Sequence, residues 1–481
     1  MPELGERKSL EPWISDSLQY YKHQVDGIRI LARWRSFILA DDMGLGKSLQ
    51  VLTVFIIDIV LGWSNTMIIV CPASLKGNWA DEIEKFTNGI PYIILEGTPQ
   101  ERNIQLITFM QIEGPRILIL NYELVEKHLN DLNLLKPDIA VFDEAHYLKN
   151  HKAKRTKAAH TLNARRKFML TGTPMLNRVD ELWSLLHLVE PQKYSGYWRF
   201  VNRYCVFGGY RDKQIIGVQN EKELKDKLQG VMLRRLKKDV LDLPEVQIIE
   251  RRVDLHAEQR KLYEEALRDM RITRADGTET SIDNALVKML RLRQICGTTL
   301  PFNGLDISAK LDLCTQDDYE LLSNGNKIVI FTQFRDVQAA YLNRMAALGF
   351  PLYELNGDVP IPSRQGVVNA WRDNPQPSVI VCILKVAGVG LNMTASRHPA
   401  FLDEDSVPGN NQQAIDRCNR IGASLTQPIQ VRKYIARNTV ESRIQALLRG
   451  KERNIENIVE SDSAWKKKLY EALMEEMAAA A

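Results

Sequence analysis

The spacing of short, β-branched apolar runs constrains this chain most. Runs at 37–40, 67–70, 116–120, 139–142 and 167–170 are separated by amphipathic stretches. After a gap the pattern resumes at 327–331, 378–384, 400–402 and 429–434. Near-continuous apolar runs of this length are the signature of parallel strands buried on both faces. Helical stretches between them supply the crossovers, so the expected fold class is α/β. From about 180 to 311 the pattern is mostly helical, with 221–228 and 257–270 as examples and a break near 274–280. The 481 residues correspond to about three domains or two large lobes. Two parallel-sheet lobes joined by a helical middle are therefore expected, with a helical tail from 439 onward.

Composition excludes several functions. The 64 Lys and Arg nearly balance the 60 Asp and Glu, so any nucleic-acid surface must be local. The six cysteines, at 71, 205, 296, 314, 382 and 418, form no CxxC pair and fit a reducing compartment. The N-terminal residues show no apolar signal core. The longest apolar stretch, 51–61, is interrupted by Asp58 and is too short to span a bilayer. An intracellular location is expected: cytoplasmic in a prokaryote or phage, nuclear in a eukaryote.

Two motifs carry chemistry. After the first run comes Asp41-Asp42-Met43-Gly44-Leu45-Gly46-Lys47-Ser48, followed by a helical run. Glycines let backbone N–H groups approach an anion, and the helix presents its positive end. Lys47 would reach the β- and γ-phosphates, and the Ser48 hydroxyl would ligate Mg²⁺. The strict phosphate-loop pattern has glycine where Asp41 stands. The fourth run ends in Asp143-Glu144-Ala145-His146. The carboxyl end of a parallel strand is where α/β sheets bind ligands. Asp143 would hold Mg²⁺, and Glu144 would orient and deprotonate the attacking water.

These motifs continue in an order that resembles the Swi/Snf-type DNA-translocating ATPases of helicase superfamily two. His23-Gln24 with Gly27 resembles the adenine-reading Q motif. Cys71 to Leu75, with Trp79 and Glu82, resembles motif Ia. Leu170-Thr171-Gly172-Thr173-Pro174, then Asn177 and Glu181-Leu182-Trp183, resembles motif III and its continuation. Leu233-Arg234-Arg235 and Leu243-Pro244 resemble the end of the first lobe. Ser308 to Leu311 and Ile328 to Phe334 resemble the opening of the second lobe and motif IV. Ala387 to Asn392 resembles motif V, and Gln413, Asp416-Arg417 and Arg420-Ile421-Gly422 resemble motif VI. Ser406-Val407 and Ala423 depart from the family pattern, which has Trp-Asn and Gln there. The Asp41-Asp42 start is similar to the fork-remodelling branch.

The resemblance implies two RecA-like lobes. Lobe 1 would span 1–240, with a helical insertion at about 181–230. A helical protrusion at 241–307, lobe 2 at 308–445 and a helical tail at 446–481 would follow. The ATP site would use Gln24, Gly44, Gly46, Lys47, Ser48, Asp143, Glu144, Gly388, Gly390 and Gln413. Arg417 would act as an arginine finger with Arg420 beside it, and guanidinium suits charge spread over phosphoryl oxygens. Thr171, Gly172 and Thr173 would couple nucleotide state to DNA grip. The cofactors would be ATP and Mg²⁺, and the partner double-stranded DNA gripped by its phosphates. Ser74, Lys76, Tyr122, Gln333 and Asn392 would lie near the DNA track. Tyr122 and Phe334 could equally be core aromatics. The acid-free basic run from Lys149 to Lys167, and Arg234, Arg235, Lys237 and Lys238, are local basic clusters that could equally be solvated faces. The chain reads as a bare motor, or as a catalytic core whose targeting lies in a separate protein or subunit. Two other functions fit the motifs: a strand-separating DEAH-type helicase on DNA or RNA, and a nucleotide-gated DNA-binding scaffold with little turnover.

Overall fold

A computed structural model describes residues 12–446, apart from 16–17, 173–178, 209–213, 242–243, 269–270, 274–278, 282–284, 388–390, 407 and 420–426. The chain divides into two compact units, with the boundary between Leu241 and Asp242.

The first unit is built on one parallel sheet. Its strands are β1 (Ser36–Leu39), β2 (Thr66–Cys71), β3 (Tyr92–Ile94), β4 (Arg116–Asn121), β5 (Ile139–Asp143) and β6 (Arg166–Leu170). An antiparallel hairpin, β7 (Cys205–Gly208) and β8 (Gln214–Val218), precedes the short β9 (Met232–Leu233). The sheet order is β3-β4-β2-β5-β6-β1-β9, and every pairing is parallel. All six residues of β2 are buried, because helices cover both faces. Helix α1 (Lys22–Arg33) packs on α2 (Lys47–Val60), the helix that follows β1. Residues Leu49 to Ile56 of α2 are all buried, so it lies deep in the unit.

The second unit holds a second parallel sheet, ordered β10-β17-β16-β13-β15-β14. Between β10 (Val246–Val253) and the rest lies a small hairpin, β11 (Arg271–Thr273) and β12 (Glu279–Ser281). The other strands are β13 (Ile328–Thr332), β14 (Leu352–Leu355), β15 (Val379–Ile383), β16 (His398–Phe401) and β17 (Ile429–Ala436). Buried ion pairs fasten this unit. Lys310 Nζ reaches Glu441 at 2.6 Å and the Leu402 carbonyl at 2.7 Å, and Arg432 meets Asp318 at 2.7 Å. A buried charge needs such a partner to offset lost hydration.

All nine apolar runs read from the sequence are strands. The stretch 180–311 is less helical than expected, since β7 to β12 lie within it. β10 escapes the pattern for a physical reason. It is an edge strand paired only with β17, so Gln247, Glu250, Arg251 and Arg252 interrupt its apolar residues. The expected helical tail at 447–481 lies outside the described residues.

Candidate active site

The loop after β1 places its glycines where side chains fit poorly. Gly44 has φ 83° and Gly46 φ 75°, both left-handed. Gly46 caps α2, so the first-turn N–H groups of that helix open onto the loop, an arrangement that favours anions. Lys47 folds back across the loop, with Nζ donating to the carbonyls of Asp41 at 2.8 Å and Asp42 at 3.3 Å. Ser48 lies half-buried in the first turn of α2.

Gln24 and His23 brace this loop from α1. Gln24 Nε2 donates to the Leu45 carbonyl at 3.3 Å, and Gln24 Oε1 accepts from Tyr21 N at 3.0 Å. His23 Nε2 meets the same carbonyl at 3.1 Å. A Cβ on Gly46 would lie 2.5 Å from Gln24 Nε2, a second reason for glycine there.

The acidic pair sits two strands away. β5, β6 and β1 are consecutive in the sheet, so the loop and the acids share its carboxyl edge. Asp143 closes β5, and Glu144 turns the chain with φ 49°. Asp143 Oδ2 accepts from Trp79 Nε1 at 2.9 Å, and Oδ1 accepts from the Glu144 N–H at 2.9 Å. Burial first, then the neighbouring Glu144 charge, pushes the Asp143 carboxyl up to about 7, against the Trp79 hydrogen bond and the Lys47 charge. Glu144 Oε2 lies 3.2 Å from His146 Nδ1. A buried carboxyl raised in this way beside the Glu144 carboxylate forms a site that wants a cation. Their hard oxygens, with the Ser48 hydroxyl, are the donor type Mg²⁺ takes.

Thr171 and Gly172 follow β6, between the loop and the acids. Thr171 N donates to the Leu39 carbonyl at 3.1 Å. A Cβ on Gly172 would meet Met43 Cγ at 3.0 Å, so this turn lies directly against the loop that follows β1. Thr173 lies outside the described residues.

Trp79 and Tyr122 frame the acids from behind. Tyr122 is 1% exposed, stacks on Tyr147 and donates its hydroxyl to the Asp143 carbonyl at 2.7 Å. It is a buried aromatic supporting the acidic turn, as the core alternative for it expects. Ser74 lies half-buried in a 3₁₀ turn, Ala73–Leu75. Lys76 Nζ binds Glu96 at 2.9 Å.

The basic run is also largely consumed internally. Arg166 is buried, pairs with Asp58 at 2.6 Å and donates to the carbonyls of Leu31 and Trp34 at 2.6 and 2.9 Å. Burial pushes Lys167 down to about 8. Arg165 donates to the Trp63 carbonyl and Ser64 Oγ at 2.5 and 2.8 Å. Lys149, Lys154 and Arg155 reach Glu181, Glu126 and Glu123 at 3.5, 3.5 and 3.8 Å. In the second cluster Arg235 is tied to Asp41, while Arg234 is exposed.

In the second unit, Gln333 follows β13. Its N–H donates to Asp403 Oδ1 at 2.8 Å and its side-chain Nε2 to the Glu404 carbonyl at 2.5 Å. Phe334 beside it is buried, as a core aromatic. Asn392 Oδ1 accepts from Thr394 N and Oγ1 at 3.2 and 2.9 Å. Arg417 is buried in the last turn of the helix Pro408–Cys418, which also carries the half-buried Gln413. Its carbonyl accepts from Met393 N at 3.0 Å. Gly388, Gly390 and Arg420 lie outside the described residues.

Sequence reasoning missed what Trp79 and Arg235 do. In the sequence both carry only a motif resemblance, and Arg235 stands in addition within a local basic cluster.

Comparison with known proteins now decides the family. The model of the SNF2-related domain matches residues 17–299, and that of the helicase conserved C-terminal domain matches 311–422. The chain belongs to the SNF2-related family. An uncharacterised ATP-dependent helicase of Mycoplasma genitalium is 29% identical over 468 residues, covering 96% of this chain and 44% of that protein. The DNA annealing helicase and endonuclease ZRANB3 of Mus musculus is 30% identical over 456 residues, covering 89% of this chain and 40% of that protein. The chain thus spans less than half the length of these relatives. A solved SWI2/SNF2 ATPase core of Sulfolobus solfataricus in complex with dsDNA aligns over 96% of both chains, at 25% identity and a TM-score of 0.43.

Proposed function

We propose that this chain hydrolyses ATP to move along double-stranded DNA without extensive strand separation. One observation carries the ATP half of this reading. Lys47, Asp143, Glu144 and Thr171 converge on the carboxyl ends of three neighbouring strands. The loop N–H groups and Lys47 hold the phosphates. Lys47 exchanges its bonds to the Asp41 and Asp42 carbonyls for bonds to phosphate oxygens. Glu144 orients a water and takes its proton. Ser48 and Asp143 would hold Mg²⁺, which would supply neutralising charge to the phosphates. Arg417, on the helix Pro408–Cys418, is the proposed arginine finger for the γ-phosphate.

Family membership supports the duplex-DNA half, and so do the relatives' names, which include a DNA annealing helicase and human chromodomain-helicase-DNA-binding protein 7. A motor that crosses every sequence must grip phosphates, with strong salt dependence. Ser74, Gln333 and Asn392 are the proposed contacts. A separate targeting protein or subunit, or a further part of a longer chain, would select the cargo. The test is displacement of a third strand from a triplex built into a long duplex, against unwinding of a tailed duplex. ATP-dependent triplex displacement without unwinding is expected, and the reverse pattern would establish a strand-separating helicase instead.

A further inference from the structure

Asp41 stands where the strict phosphate-loop pattern has glycine, and its side chain is fully buried. A bare carboxylate beneath a loop that receives phosphates would repel the ligand and compete for the loop's lysine. Arg235 removes that conflict. Its Nε donates to Asp41 Oδ1 at 2.9 Å, and its Nη2 pairs with Oδ2. Nη2 also donates to Gln50 Oε1 at 3.0 Å, and Nη1 donates to the His23 carbonyl. Gln50 Nε2 adds a bond to Asp41 Oδ2 at 3.3 Å.

The backbone keeps the same register. Arg235 follows β9, the edge strand beside β1. Ala40 N donates to the Leu233 carbonyl at 2.7 Å, and Asp42 N to the Arg235 carbonyl at 3.0 Å. Lys237 N donates to Asp42 Oδ2 at 3.0 Å. Gly27 makes room for the cluster: a Cβ there would lie 1.8 Å from Gln50 Oε1 and 2.8 Å from Arg235 Nη2. Three other stretches of sequence, at 23–27, at 50 and at 233–235, thus gather around one carboxylate.

We propose that Arg235 is a positioning residue of the ATP site: by neutralising Asp41 it fixes the start of the phosphate loop and reserves Lys47 for the nucleotide. The proposal rests on the ATPase reading above. Lys47 Nζ already lies 2.8 Å from the backbone oxygen of Asp41. An unneutralised carboxylate on that same residue would capture the ammonium, and ATP would have to displace it. The lesion is one of unbalanced charge, so it should be reversible by removing the charge.

The test compares Arg235→Met, Arg235→Lys, Asp41→Asn and the double variant Arg235→Met with Asp41→Asn. The readouts are equilibrium binding of a fluorescent ATP analogue, KM and kcat for hydrolysis, and thermal unfolding. Arg235→Met should raise Kd and KM for ATP about tenfold while kcat at saturating ATP changes little, because a ground-state competitor has been created. Arg235→Lys should fall between, since it keeps the charge and loses the fork. Asp41→Asn alone should stay within about threefold of wild type, and the double variant should return to that range. A merely structural role predicts the opposite, with the second substitution adding to the loss. Binding by Arg235→Met within about twofold of wild type, or a double variant no better than the single, would overturn the proposal. Should Arg235→Met not fold, the double variant must still fold and bind ATP near wild-type affinity, and its failure would also overturn the proposal. A wild-type chain that binds no ATP would sink the ATPase reading itself, whereas wild-type binding left unchanged in Arg235→Met would sink only the Arg235 proposal.

Discussion

Replacing Asp143 with Asn should make the nucleotide-free protein more stable at pH 8, though it abolishes turnover. Asp143 is held in a buried site beside Glu144, and its carboxyl is pushed up to about 7 from the ordinary aspartate value of 3.8. The folded state therefore holds this proton more tightly than the unfolded chain does. That contribution is fully present below the unfolded value and is lost as pH rises through about 7. At pH 8 the native protein carries the whole cost of a buried, crowded charge. The displacement corresponds to about 4 kcal/mol as an upper limit. Asn keeps an acceptor for Trp79 but forfeits the favourable Lys47 interaction, so a gain of about 2 kcal/mol is expected. For a unit of this size that is about 4 to 8 °C in Tm. Thermal unfolding in EDTA without nucleotide, at pH 8 and pH 5.5, measures it. The gain should appear at pH 8 and shrink towards zero at pH 5.5. An equal gain at both pH values, or none at pH 8, would refute the electrostatic reasoning.

Further outcomes follow from the same geometry. Lys47→Ala should reduce ATP hydrolysis to the level of a blank, since nothing else in the loop offers a fixed cation; normal turnover there would remove the loop from the mechanism. Glu144→Gln should retain ATP binding and slow hydrolysis by about 10² to 10⁴-fold, measured in a single turnover. Lys310→Met should destabilise the second unit by about 3 to 5 kcal/mol, because Glu441 is left buried and unpaired, and adding Glu441→Leu should recover most of that loss in urea unfolding. Arg417→Ala should leave ATP affinity intact and depress kcat, and a loss confined to binding would remove it from the phosphoryl-transfer step.

The central strands were legible because burial on both faces leaves no room for polar residues, as in β2 and β5. The edge strands β3, β10 and β14 were not, since one side of each is free to carry charge. Of the site, the backbone-driven parts were legible. Gly44, Gly46 and Lys47 announce a loop by residue type, and Asp143-Glu144 announces itself by standing at a strand end. Long-range pairings were not legible. Nothing local says that Arg235 reaches Asp41 or that Trp79 reaches Asp143, because both depend on strand order. For the same reason the basic run misled. Arg166 looks like surface charge in the sequence, and nothing local says that it reaches Asp58 in α2.

The most direct test of the account is the ATP hydrolysis rate of the wild-type chain with no nucleic acid, single-stranded DNA, double-stranded DNA and RNA, at low and moderate salt, with Glu144→Gln as the blank. Strong stimulation by double-stranded DNA, falling with salt, is predicted. Stimulation mainly by single strands or RNA would contradict the duplex-motor reading, and no turnover above the blank under any condition would contradict the ATPase claim itself.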